Sequence, residues 1–553
     1  MTATAIRPAA TAGRPIVVAQ QSLAFALPLL WPAAAVILLA APWIDQRLVA
    51  CEWLGLAIPL LFIRRLKGWG GETLAVITAV GALAIAFHWT PRVLASSLDT
   101  SLGVAFLIAA PIILLDALRL AAPFVFAARC GASPLQAWLP AGLMAVVVES
   151  VMPAVFPWRH GYSQIGWYPL IQSADLLGPG ITTLVAFAHA GVLVAMIRAT
   201  GLMGRSDDDG RPAHRAVAAA ALVLCLLNAG YGFGAVRWWT AKIAAAPVLS
   251  VLAVQANPED ADGVEALETL TLEACASRAT PPDLICWPEC SGGSYSERLD
   301  SLADSKAVHA LSREPRRGFR PLAAPPCPVL FGGKSFVGHP EKPRSLFQSA
   351  ILLDASARIL GRYHKRHLMP FGEYVPGATW SPDIARLFPM NEPLVEGSEP
   401  NVLCDGGPAR LGVLLCYEDM IPAAAHSLVR GSANLLVSLI NGAAFTVPLT
   451  LEQHRLLAQL RAVESRRFML RCASTGETCV ISPLGAIVAR LPLQERGSLT
   501  YDVGLLDEQP LFLRIGELAF PMFCAIALIP ICLRAFVRSR PGSAAPNARA
   551  DGS

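Results

Sequence analysis

The chain has 553 residues, of which 54% are hydrophobic and only 16% charged, and its mean hydropathy is +0.48. That is more apolar than a soluble domain of this size, so part of the chain is expected to sit in lipid. The net charge of +4 comes with scattered basic residues rather than a basic stripe, which argues against nucleic acid as a partner.

Eight apolar stretches are candidate membrane spans, seven of them before residue 240. Residues 22–44, 73–90, 176–197 and 216–236 contain no Asp, Glu, Lys or Arg, and each can cross, or nearly cross, a hydrocarbon core about 30 Å thick. Three further stretches carry charge: 48–63 holds Glu52, 101–128 holds Asp116 and Arg119, and 135–158 holds Glu149. Asp116, Arg119 and Glu149 are functional candidates by default, but because the edges of these spans are not fixed by the sequence a structural or interfacial role is expected. The eighth stretch is 515–533. Arg and Lys gather in alternate loops (Arg64, Arg65 and Lys67; Arg129; Arg198, Arg205, Arg211 and Arg215; then Arg534, Arg538 and Arg540). By the positive-inside rule these loops are cytoplasmic, which places residues 240–512 on the outer face. The first span is too long, and too poor in cleavage features, for a removed signal peptide. Trp238 and Trp239 read as interfacial anchors of the seventh span.

From "APVLSVLAVQAN" onward, short β-rich runs alternate with charged helical stretches such as "TLEQHRLLAQLRAVESRRFML", the pattern of an α/β domain. The expected division is a cytoplasmic tail 1–21, a seven-span region 22–236, an arm 237–246, an outer α/β domain 247–512, a last span 513–534 and a disordered cytoplasmic tail 535–553. Thirteen cysteines are dispersed without a CxxC pair, so no metal site is expected; eight lie in the outer region, where an oxidising compartment permits disulfides.

Three segments of this domain end a β-rich run in an ionisable group. "DLICWPEC" ends at Glu289, flanked by Trp287 and Pro288, which would desolvate a carboxylate and raise its pKa toward that of a general base. "ILGRYHKRHLMPFGEYVP" places Lys365 after a hairpin strand, followed by a Pro/Gly-punctuated loop with Phe371, Glu373 and Tyr374. "ARLGVLLCYED" runs into Cys416, Tyr417, Glu418 and Asp419. Each alone has an ordinary reading: a solvated acid, a snorkelling lysine, a core cysteine. Together they supply a base, a cation and a thiol, the groups that cysteine-mediated acyl transfer needs.

In order and approximate spacing, "CWPE", "GRYHKRHLMPFGEYVP" and "LLCYED" resemble the Glu-Lys-Cys signature of the nitrilase superfamily. The "PFGEYVP" loop, the segment "FPWRHGYSQIGWYPLIQSADLLG" and the span layout are similar to bacterial apolipoprotein N-acyltransferases. The resemblance implies a four-layer α-β-β-α sandwich inserted between about seven spans and a final one. It also implies Glu289 as general base, Lys365 as oxyanion stabiliser and Cys416 as nucleophile. Glu373 would support Lys365, Tyr417 and Glu418 would shape the pocket, and Phe371, Tyr374 and Asn441 would join the binding surface. The implied donor is a phospholipid, the acceptor a diacylglyceryl-apolipoprotein, and the location the bacterial inner membrane with the catalytic domain periplasmic. Thioester chemistry needs no metal or organic cofactor.

Three stretches depart from that family: "VQANPEDADGVEALETL" lacks an expected Trp, "LINGAAFTVPLTLEQH" keeps Asn441 and Phe445 but not a Trp, and "ESRRFMLRCASTGETC" keeps only Gly476 of an expected turn. They leave open a related membrane acyltransferase or amidase with another acceptor, and a non-catalytic envelope assembly protein.

Overall fold

The structure, a computed structural model, describes residues 30–98, 100–203, 211–257, 263–292, 294–296, 326–339, 342–377, 380–381, 383, 393–442, 445 and 447–539. The tail 1–21, the start of the first expected span, residues 540–553 and parts of the departing stretches near 258–262 and 443–446 lie outside these residues.

An apolar helix coincides with each expected span: α1 (Leu30–Ile44), α2 (Val49–Leu61), α3 (Trp69–Ala86), then, after the short α4 (Thr90–Ser97), α5 (Leu102–Arg129), α6 (Trp138–Val151), α7 (Pro179–Ala199) and α8 (Pro212–Ala244). Of these, α3, α5, α7 and α8 are long and apolar enough to cross a membrane, as is the C-terminal helix Ala519–Ser539; α1 and α6 are shorter. Two edges differ from expectation. Helix α6 stops at Val151, not 158, because Met152 precedes Pro153 and takes an extended conformation with ψ 132°. Residues 152–158 then run as irregular chain into a buried 3-10 turn, His160–Gly166. Conversely, α8 continues through the expected arm to Ala244, almost to the first strand. It can pass the chain beside it because residue 232 is glycine: a Cβ there would lie 1.9 Å from the Pro169 carbonyl oxygen.

The charges inside the bundle hold that irregular segment. Glu149 accepts hydrogen bonds from the His160 N–H (2.9 Å) and the Thr183 hydroxyl (2.7 Å), and Glu52 bonds the His160 ring at 2.6 Å. Arg119 pairs with Asp116 (2.8 Å), donates to the Trp158 carbonyl (3.2 Å) and lies over the Trp158 ring. With no helical partners for its backbone, the loop is tolerable inside the bundle because protein groups satisfy it.

The α/β domain comprises β1 (Val248–Gln255), α9 (Gly263–Ala276), β2 (Leu284–Cys286), β3 (Ser294–Ser296), β4 (Val329–His339), β5 (Lys342–Leu353), β6 (Ile359–His364), β7 (Val402–Cys404), β8 (Arg410–Leu415), α10 (Pro422–Arg430), β9 (Leu435–Ile440), α11 (Pro448–Ser465), β10 (Met469–Ala473), β11 (Cys479–Ile481), β12 (Ile487–Arg490) and β13 (Gly497–Gly504). One sheet has the order β13-β1-β2-β4-β5-β6, with β3 on β4; the other has β12-β11-β10-β9-β8-β7. In each, central parallel pairs (β1-β2-β4 and β8-β9-β10) are flanked by antiparallel strands. Strands such as β9 (LLVSLI), apolar except for Ser438, are buried at every position, as two-face burial requires. The last helix, α12 (Ala519–Ser539), extends five residues into the expected 535–553 tail.

Helix α11 joins the two halves. Fifteen of its eighteen residues are buried, so the charged face that its sequence offers to solvent is instead packed inside the protein. Gln453 donates to the carbonyls of Trp43 and Ala86 (both 2.9 Å) and accepts from the Trp89 indole (2.8 Å). Arg461 reaches the Tyr162 hydroxyl (2.9 Å), and just beyond the helix Arg466 pairs with Asp175 (2.7 Å). The Arg466 guanidinium also covers Trp239, which is buried. Of the two expected interfacial tryptophans only Trp238 is exposed.

Candidate active site

The carboxyl ends of parallel strands are where α/β folds leave side chains free to converge, because the backbone stops pairing there. Glu289 lies three residues beyond β2, Cys416 directly follows β8, Asn441 directly follows β9, and Lys365 follows β6 at the same edge.

Glu289 and Lys365 are almost fully buried, and the Lys365 ammonium stands 3.6 Å from Glu289 Oε1 and 2.6 Å from Glu373 Oε1. The other Glu373 oxygen accepts the Met369 N–H (2.8 Å), which pins the loop to the lysine. The Asn441 N–H donates to Glu289 Oε2 (3.1 Å). Gly332 on β4 makes room for the acid: a Cβ there would sit 2.5 Å from the Glu289 Cα. Burial pushes the Glu289 carboxyl above its ordinary range, Lys365 pulling against it and Glu373 adding to it. Burial opposes the charge on Lys365, but Glu289 and Glu373 overcome it and raise the ammonium pKa, so the cation persists.

Cys416 opens a 3-10 turn, Cys416–Met420, with φ at 48°, in the left-handed region that β-strand exits rarely use for a non-glycine residue. Such a strained residue persists only where its surroundings over-determine it. Glu418 supplies part of that constraint: its carboxylate accepts the N–H groups of Leu415 (2.9 Å), Arg366 (2.8 Å) and His367 (3.1 Å) and the Tyr363 hydroxyl (2.9 Å). It therefore clasps the β8 exit to the Lys365 loop. Asp419 supplies the rest, bonded to His454 (2.7 Å), Ser438 (2.8 Å) and Arg471 (3.1 Å). Burial raises the Asp419 carboxyl, but His454 and Arg471 outweigh it and hold it at about 2. Burial, with Glu289 next, raises the Cys416 thiol well above its ordinary value; Lys365 opposes this. The resting group is the thiol, with a carboxylate and an ammonium within its electrostatic reach.

Tyr417 points the other way. Its hydroxyl donates to the Val155 carbonyl (2.6 Å), tying the nucleophile turn to the irregular segment after α6. Beside it an apolar groove runs between α3, α4, α5, residues 155–158 and the loop segment Met369–Gly372. Phe371 lines this groove, and its N–H donates to the Tyr374 carbonyl (2.8 Å). All nine expected site residues thus gather at one edge of the domain. The Asp419–His454–Arg471 clasp was not among them. Its signal was the buried-helix charge pattern of "LEQH" and "RRFMLR", which reads as solvated surface until the helix is seen enclosed. All thirteen cysteines are free thiols, so none of the permitted disulfides forms, and the described residues contain no metal-binding cluster.

This two-sheet domain corresponds to a known class: residues 250–510 match the carbon-nitrogen hydrolase family. Among solved structures, Nit3 of Saccharomyces cerevisiae, a nitrilase-superfamily member, aligns over 46% of this chain and 90% of its own with 18% identity and a TM-score of 0.34. Among curated proteins, the apolipoprotein N-acyltransferase of Geobacter metallireducens is 32% identical over 394 residues, 69% of this chain and 70% of the relative. That of Azotobacter vinelandii is 30% identical over 63% of each chain. The chain belongs to the apolipoprotein N-acyltransferase family.

Proposed function

We propose that this chain takes an acyl group from a membrane phospholipid onto Cys416 and passes it to the N-terminal amine of a diacylglyceryl-cysteine on an apolipoprotein. The supporting observation is the buried Glu289–Lys365–Cys416 cluster beside an apolar groove. Glu289 accepts the thiol proton as sulfur attacks the ester carbonyl, and the Lys365 ammonium faces the developing oxyanion, where a fixed charge in a dry site is most effective. Collapse breaks the ester C–O bond, the lysophospholipid leaves with the proton returned by Glu289, and a thioester remains. The acceptor amine then attacks the thioester carbonyl, Glu289 takes its proton, and the thiol is restored. In this reading the chain is anchored by seven spans and an eighth after the catalytic domain, in a bacterial inner membrane with that domain periplasmic. An amidase for small soluble amides would have no use for the groove, and a non-catalytic scaffold would have none for a buried lysine between two acids.

The test is mass spectrometry of the Cys416 peptide after the purified protein meets phosphatidylethanolamine without acceptor. A hydroxylamine-sensitive acyl adduct is expected; folded protein that forms none with any phospholipid overturns the proposal.

The pH dependence has a sign. Glu289 must be ionised to act, and burial has raised its pKa, so the acid limb of acylation should lie above the ordinary Glu value of about 4.3. Glu373 contributes to that rise. Glu373→Gln keeps an acceptor for Lys365 and removes the negative charge, so the acid limb should move to lower pH. Acylation rates measured across pH in both proteins check this.

A further inference from the structure

The apolar groove ends against a wall shared with a second cavity. Leu83 on α3 and Trp158 line both spaces, and no other residue does. Behind them this second, narrower space is also lined by Glu52 and His160. These two bond each other, but Glu52 Oε2 and His160 Nε2 are buried and have no partner among the described residues. The groove side is mostly apolar: Asp116 is paired with Arg119, and the other polar lining residues are Thr90 and Ser97. Trp158 is held rigidly in this position: Arg119 stacks on its ring at 5.2 Å, and Trp43 and His160 pack edge-on at 5.9 and 5.8 Å.

We propose that Leu83 and Trp158 form the end wall that sets how long an acyl chain this enzyme accepts from its phospholipid donor. This rests on the acyltransferase reading above. The groove borders the site: it is lined by Met369–Gly372, whose neighbour Glu373 holds Lys365, and by Val155, which Tyr417 holds. In this proposal an acyl chain bound to Cys416 lies along the bordering groove, and the groove ends at this wall. Moving from lipid into an apolar groove changes its hydration little, so length is discriminated by fit. A chain too long must displace Leu83 or the locked Trp158, and overpacking of this kind lowers an equilibrium on the order of ten- to a hundredfold. Beyond the wall it would cover the unpartnered Glu52 and His160 atoms, which apolar carbon cannot satisfy.

The experiment offers wild type, Leu83→Ala and Leu83→Phe an equimolar series of phosphatidylethanolamines with saturated chains of increasing length, and reads the chain masses on Cys416. Wild type should show a length above which adducts fall by at least tenfold. Leu83→Ala should move that limit to longer chains and Leu83→Phe to shorter ones. Identical length profiles in all three, with adducts formed, overturn the wall and leave the acyltransferase reading standing. Adducts lost from both folded variants but present in wild type assign Leu83 to packing alone and also overturn it. No adduct even in wild type overturns both readings together.

Discussion

Cys416→Ala is expected to abolish the acyl adduct and to lower N-acylation on the order of 10⁴-fold or more, since losing a nucleophile removes the covalent route entirely. The side chain is small, and the alanine methyl keeps the contacts that the cysteine Cβ makes with Ile440 and Ala473. The left-handed backbone at residue 416 costs the same with either side chain, and the Glu418 and Asp419 clasps are untouched. Thermal unfolding in detergent should therefore match wild type. A folded Cys416→Ala protein that still N-acylates a diacylglyceryl peptide would remove the thioester from the mechanism.

Lys365→Met should be the second largest effect, and it should appear in rate, pH profile and stability together. The methionine fills similar volume but leaves the buried Glu289 and the half-buried Glu373 without their cation. Loss of one oxyanion stabiliser costs on the order of 10²–10³ in rate. Lys365 also lowers the Glu289 pKa against the rise caused by burial; without it Glu289 holds its proton to higher pH, so the acid limb should move up. That is opposite to the shift expected for Glu373→Gln. Removing one partner of a buried ion pair further costs about 3–5 kcal/mol of stability, read as a lower Tm. An unchanged acid limb in Lys365→Met would separate the lysine from the base and assign it to packing.

Asn441, in one of the departing stretches, still donates its N–H to Glu289, because the backbone at the end of β9 supplies that bond whatever side chains follow. Gly476 and the turn around it lie beside Gly442, where a Cβ would meet the Thr475 hydroxyl oxygen at 2.7 Å.

The apolar helices, the α/β alternation and the three strand-end groups were legible in the sequence by itself. Each is a local property: long apolar runs have only a few physical destinations, and a β-rich run ending in Glu, Lys or Cys shows where a side chain leaves the core. What local pattern could not supply was which charges are enclosed. Arg455, Arg461, Glu464, Arg466 and Arg467 look like the wet side of an amphipathic helix and its exit, yet all are buried, because α11 lies between the sheet and the helical bundle. The same holds for Glu418, which the sequence places beside the thiol as a pocket wall, and for its neighbour Asp419: the fold turns both inward as clasps. The end wall at Leu83 and Trp158 depends on a loop that prolines release from α6 and that Glu149, Glu52 and Arg119 then fold back into the bundle. Burial and partner choice arise from contacts between segments far apart in the chain, so only the tertiary structure could decide them.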